Sequence, residues 1–119
     1  MAGNLAVGRV VRAVVDTLAA MVSGSNLKPG EAAKKYAGSQ SGTPEAQVAG
    51  AQIVTSAINA AFANGTMAHA DETDDCHATT GHHPGCAIVP AALAIAEREQ
   101  ADGMSFLKAV VVGYDIGCR

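Results

Sequence analysis

The chain has 119 residues, 49% hydrophobic and 16% charged, with a net charge of −3. That length supports one domain with a modest core, and the apolar content excludes a disordered chain. The acidic balance, with no Lys or Arg between Lys35 and Arg98, leaves no electrostatic footprint for nucleic acid or an anionic membrane.

From Leu5 to Val22, the residues Val7, Val11, Val14, Leu18 and Met21 recur at three- and four-residue spacing, which predicts an amphipathic helix stopped near Gly24. Pro29 and Gly30 mark a turn, a short helix is expected over Glu31 to Tyr36, and Gly38 to Pro44 reads as a surface loop. Val48 to Val54 has a β-branched flavour but too little length for a sheet. Ser56 is an N-cap candidate for an Ala-rich helix with a break at Asn64-Gly65. The next helix is expected from about Ile88 to Glu99, because Pro90 is best tolerated in a first turn. Asp102 or Ser105 caps a last helix that runs to Arg119. The fold class is all-α.

Cys76, Cys86 and Cys118 form no CxxC pair, which argues against a disulfide framework and for a reducing, cytoplasmic setting. No signal peptide is recognisable, and no apolar stretch reaches the roughly 18–20 residues that span a bilayer.

One stretch stands apart. "HADETDDCHATTGHHPG", residues 69–85, holds all four histidines and four of the eleven acidic residues. It allows three readings. Its His, Asp, Glu and Cys side chains are metal ligands by type, but neither CxxC nor HExxH spacing is present, and Pro84 opposes a helical His82/Cys86 pair; no metal is expected. Crowding Asp71, Glu72, Asp74 and Asp75 raises the pKa of at least one, and histidines titrate near neutrality, so the stretch suits proton transfer. Backbone N–H groups at the helix start after Pro84-Gly85 could hold a substrate carboxylate. The plain alternative is a solvated loop whose aspartates cap a helix. On that reading His69 is a hydrogen-bonded core histidine, Cys76 and Cys86 are small buried fillers, and Tyr36 and Tyr114 are packing residues.

In order, "ANGTMAHADETDDCH", "HHPGCAIVPAALAIAERE" and "GMSFLKAVVVGYDIGCR" resemble the MmgE/PrpD family, and "VVRAVVDTLAAMVSGS" is similar to its first helix. Members include 2-methylcitrate dehydratase, cis-aconitate decarboxylase and an epimerase of iminodisuccinate. All act beside a carboxylate of a small polycarboxylic acid without an iron–sulfur cluster. The resemblance implies Glu72, Asp75 and His83 as catalytic groups, with Asp74, Cys76 and His77 in substrate binding. Cys76 stands where decarboxylase-type members carry a threonine, and a thiol is the weaker hydrogen-bond donor. It further implies no cofactor, a homodimer, and an N-terminal all-α fragment of a longer enzyme. The family's second α/β domain, with a further histidine and carboxylate-holding lysines, would lie downstream. Dehydration of a tricarboxylate is the leading expectation. Decarboxylation, epimerisation and a non-catalytic helical interaction module are the alternatives.

Overall fold

The computed structural model describes residues 2–119, with side chains from Val7 onward. Five helices and one two-stranded sheet follow in the order α1 (Ala2–Gly24), α2 (Lys28–Ser39), β1 (Ala46–Val48), β2 (Ile53–Thr55), α3 (Ala57–His69), α4 (Pro84–Arg98) and α5 (Gly103–Gly117). The all-α class holds. Among the described residues, no single helix is long and apolar enough to cross a membrane.

Helix α1 turns inward only part of the stripe its periodicity suggested. Val14, Thr17 and Met21 are buried and Val10 packs beside them, whereas Val7, Val11 and Leu18 are 45%, 42% and 37% exposed. This helix is apolar on two sides, and spacing alone does not choose between them. Helix α2 begins three residues earlier than expected because Pro29 fits a first helical turn, where its missing N–H costs nothing.

The β-branched segment does form a sheet, though a minimal one. Ala46, Gln47 and Val48 pair antiparallel with Thr55, Val54 and Ile53. A pair of three-residue strands is marginal alone. Here the side chain of Asn64, itself 2% exposed, anchors it to α3: Oδ1 accepts from the Ala49 N–H at 2.8 Å and Nδ2 donates to the Gln47 carbonyl at 3.0 Å. The expected break at Asn64-Gly65 is therefore absent, and α3 is continuous from its Ser56 cap.

Helix α4 starts at Pro84 rather than Ile88, and Pro90 lies inside it. Two prolines competed for the first turn, and Pro84 occupies it. Pro90 has no N–H for the Cys86 carbonyl four residues back, and that oxygen instead faces α3 at Gly65, where an added Cβ would come within 2.8 Å. Asp102 caps α5 through the Ser105 N–H at 2.7 Å, and the helix ends at Gly117 with Cys118 as its cap, not at Arg119.

Small residues let the helices approach closely around α3. One buried cluster joins Ala33, Ala37, Val48, Ala60, Ala63 and Met67; the other joins Val14, Met21, Ala68, Val89 and Val110. At the end of α1 the fit is tightest, since a Cβ on Gly24 would overlap the Met67 carbonyl. Gly24→Ala is expected to lower stability by about 1–3 kcal/mol through overpacking. Gly8→Ala, where nothing lies within 4 Å, is expected to raise it by up to about 1 kcal/mol through helix propensity. Urea midpoints for the two variants measure both effects, and equal shifts would contradict this packing.

Candidate functional site

The polar stretch forms the corner between the end of α3 and the start of α4. Of its four carboxylates, Asp71, Asp74 and Asp75 each have separate hydrogen-bond partners. Asp71 accepts hydrogen bonds from the Ser23 hydroxyl and from Thr73 Oγ1 (2.7 Å), which hold its carboxyl below the usual range. Glu72 is exposed and makes no side-chain hydrogen bond among the described residues, and its backbone is left-handed with φ 57°.

Asp75 is a structural clamp. Its Oδ1 accepts the Gly85 N–H in the first turn of α4 at 2.8 Å, and its Oδ2 accepts the Tyr114 hydroxyl of α5 at 2.6 Å. The helix-start N–H that the sequence offered to a substrate is thus taken by a protein carboxylate, which also suits the positive end of the helix dipole. Gly85 is obligatory here, since a Cβ would lie 2.6 Å from Asp75 Oδ1, 2.8 Å from Thr17 Oγ1 and 2.9 Å from the Tyr114 hydroxyl. Tyr114, read as packing, is a clamp member 39 residues from its partner, a separation that no local spacing reveals.

Asp74 points the other way. Its side chain is fully buried between two histidines, with His69 Nδ1 at 3.1 Å and His83 Nδ1 at 3.5 Å from Oδ2. The two imidazole centroids are 4.9 Å apart. His69, expected in the core, is hydrogen-bonded as anticipated, but its side chain is 48% exposed. One donor atom from each of His69, Asp74 and His83 falls within 4.8 Å of the others, so this is where the described residues could gather a cation. The same spacing gives one imidazole–carboxylate hydrogen bond, from His69, and leaves the buried His83 Nδ1 at 3.5 Å without a hydrogen-bond partner among the described residues.

The remaining expected residues stand apart from this pair. His77 Nδ1 lies 2.8 Å from Thr80 Oγ1, which also contacts His82 Nδ1, in a turn closed by the Gly81 N–H on the His77 carbonyl. Cys76 is exposed rather than buried, and Cys86 is partly buried with its thiol donating to the His83 carbonyl at 3.2 Å. A cleft of about 520 Å³ between α3 and α4 is lined by His69 and Cys86 together with Phe62, Gly65 and Thr66. A larger groove of about 600 Å³, between α4 and α5, is lined by Ile88, Ala92, Ile95 and Phe106 and includes none of the expected site residues. The α3–α4 cleft is the one that adjoins the chemistry.

Burial, reinforced by Asp74 and Asp75, pushes the Cys86 thiol up to about 11 from 9.0. Burial and the Asp75 carboxylate raise the Tyr114 phenol above its ordinary 10.0. In both cases the fold favours the protonated form, so the stability this contributes is present below the unfolded-state pKa and is lost as pH climbs through the folded one. Urea midpoints are expected to fall between about pH 9.0 and 11, and Cys86→Ala to flatten part of that fall. Tyr114→Phe is expected to cost about 1–3 kcal/mol at neutral pH, because it removes a hydrogen bond to a charged acceptor. A Tyr114→Phe variant as stable as the parent would refute the clamp.

No protein of curated function and no solved structure matches the chain. The family profile described as the MmgE/PrpD N-terminal domain matches residues 3–119, which include the Asp74–His83 corner, the Asp75 clamp, α2 to α5 in full and α1 from its second residue onward. The chain belongs to the MmgE/PrpD family, of which it carries the N-terminal domain.

Proposed function

We propose that this domain supplies one wall of an active site that moves a proton beside a carboxylate of a small polycarboxylic acid, with dehydration of a tricarboxylate of the 2-methylcitrate type as the reaction. The observation that carries this reading is His83, held one residue before α4 with its Nδ1 against a fully buried carboxylate. An imidazole fixed in that way is a general base with a defined direction. Glu72, exposed on a left-handed backbone, is the second proton-handling group. Asp75 shapes the site by fixing the start of α4, and Asp74 orients His83. Cys76 and His77 lie on the solvent side of the corner as substrate contacts.

Decarboxylation of cis-aconitate is the second reading within the family. The thiol of Cys76, in place of a hydroxyl, weighs against it. An epimerase that moves a proton without elimination would use the same pair of groups. The remaining parts of the proposal are a cytoplasmic homodimer, without cofactor or metal, that binds neither nucleic acid nor membrane. The exposed apolar row Val7, Val11, Val15, Leu18 and Val22 on α1 supports an association face. The same row would serve a non-catalytic helical module.

Ultraviolet absorbance of the conjugated double bond tests the chemistry, with 2-methylcitrate and cis-aconitate offered to this domain assembled with the part of the enzyme that completes the site; the domain by itself is expected to be inactive. Dehydration of 2-methylcitrate is expected, and His83→Gln is expected to lower kcat by about 10²–10⁴-fold, the usual worth of a general base. Glu72→Gly is expected to do two opposite things: raise stability by about 1 kcal/mol by relieving the left-handed backbone, and lower turnover. Folded protein, so assembled, that is inactive on both compounds would sink the lyase reading.

A further inference from the structure

Asp74 faces two imidazoles through the same kind of atom. His69 Nδ1 lies 3.1 and 3.2 Å from its two oxygens, and His83 Nδ1 lies 3.5 Å from one of them. The His83 Nδ1 is buried, and at that separation it lacks a well-formed hydrogen bond to any other group among the described residues. A ring nitrogen carrying a lone pair would be repelled by a buried carboxylate, whereas one carrying a proton is attracted. Both rings are therefore driven to the form protonated on Nδ1, and both leave Nε2 as an acceptor. An ionised carboxylate has two acceptor oxygens and no donor, so it can accept from both rings at once.

We infer that Asp74 is a positioning residue for two histidines, and that His69 is a second substrate-facing imidazole beside His83. This rests on the proton-transfer reading given above and deepens it. His69 lines the α3–α4 cleft of about 520 Å³, and its ring centroid is 4.9 Å from that of His83. The site thus extends from His83 at the corner, through His69, into that cleft, so that both Nε2 acceptors serve one small polycarboxylate. His83 Nε2 takes the proton from carbon, and Glu72, as the second proton-handling group, gives one to the departing hydroxyl as water leaves. His69 Nε2 accepts a hydrogen bond from the substrate. Solvent then takes the proton from His83 and resupplies Glu72. That sequence breaks one C–H and one C–O bond, forms the double bond, and needs no further reactant.

The ring nitrogens report this directly. In the ¹⁵N-histidine-labelled chain at mildly alkaline pH, long-range ¹H–¹⁵N correlation is expected to show His69 and His83 protonated on Nδ1, assigned by His69→Gln and His83→Gln. Asp74→Asn offers one acceptor and one donor, so one of the two rings is expected to switch to protonation on Nε2 while the other does not. Asp74→Ala is expected to release both. With 2-methylcitrate and the assembled enzyme, Asp74→Asn is expected to lower kcat by about 10²-fold or more with little change in KM, as removal of an orienting carboxylate does. Native protein with His69 or His83 protonated on Nε2 overturns the inference, whatever the variants do. So does stoichiometric zinc on the Nδ1 atoms of protein purified without chelator. The expected tautomers in an assembled enzyme inactive on 2-methylcitrate would leave Asp74's orienting role standing and remove the dehydration reading instead.

Discussion

Everything near the polar corner depends on the crowding of oxygens around Gly85. Thr17 from α1, Asp75 from the corner and Tyr114 from α5 converge on the place where a side chain of that residue would stand. Pro84 supplies a first helical turn that has one N–H fewer to satisfy, and Asp75 satisfies the next. The start of α4 is thereby fixed to three other parts of the chain. His83, immediately before it, inherits that fixed position. Loss of the clamp would free the histidine as well as the helix, which ties local stability to the geometry of the site.

The two adjacent aspartates separate these tasks. Asp75 reaches α4 and α5, while Asp74 reaches His69 and His83. A fully buried carboxylate is costly unless it is paired, and Asp74 is hydrogen-bonded by His69 with His83 Nδ1 3.5 Å away. The residue proposed to orient the site is therefore also one that the fold cannot leave unpartnered.

The corner is rich in acids and poor in fixed positive charge. No Lys or Arg lies between Lys35 and Arg98, and the Gly85 N–H is already bonded to Asp75. For a polycarboxylate, this wall offers proton acceptors and a cleft, and the groups that neutralise the substrate's charge must come from elsewhere in the assembled site. This division fits an N-terminal domain whose part is to position acid and base groups.

The helical class, the Ser56 and Asp102 caps and the singular polar stretch were all legible in the sequence, because caps and periodicity act within a few residues. The identity of His83 and of the double aspartate as notable residues came from motif order alone. Other features were decided by tertiary contacts. Which apolar face of α1 turns inward depends on what α3 and α5 present to it. Pro84 rather than Pro90 opens α4 because Asp75 is there to accept the Gly85 N–H. Asn64 continues α3 instead of breaking it because the β1–β2 hairpin takes its side chain. The pairing of Asp75 with Tyr114, and of one buried carboxylate with two histidines, joins residues whose proximity exists only once the helices have packed.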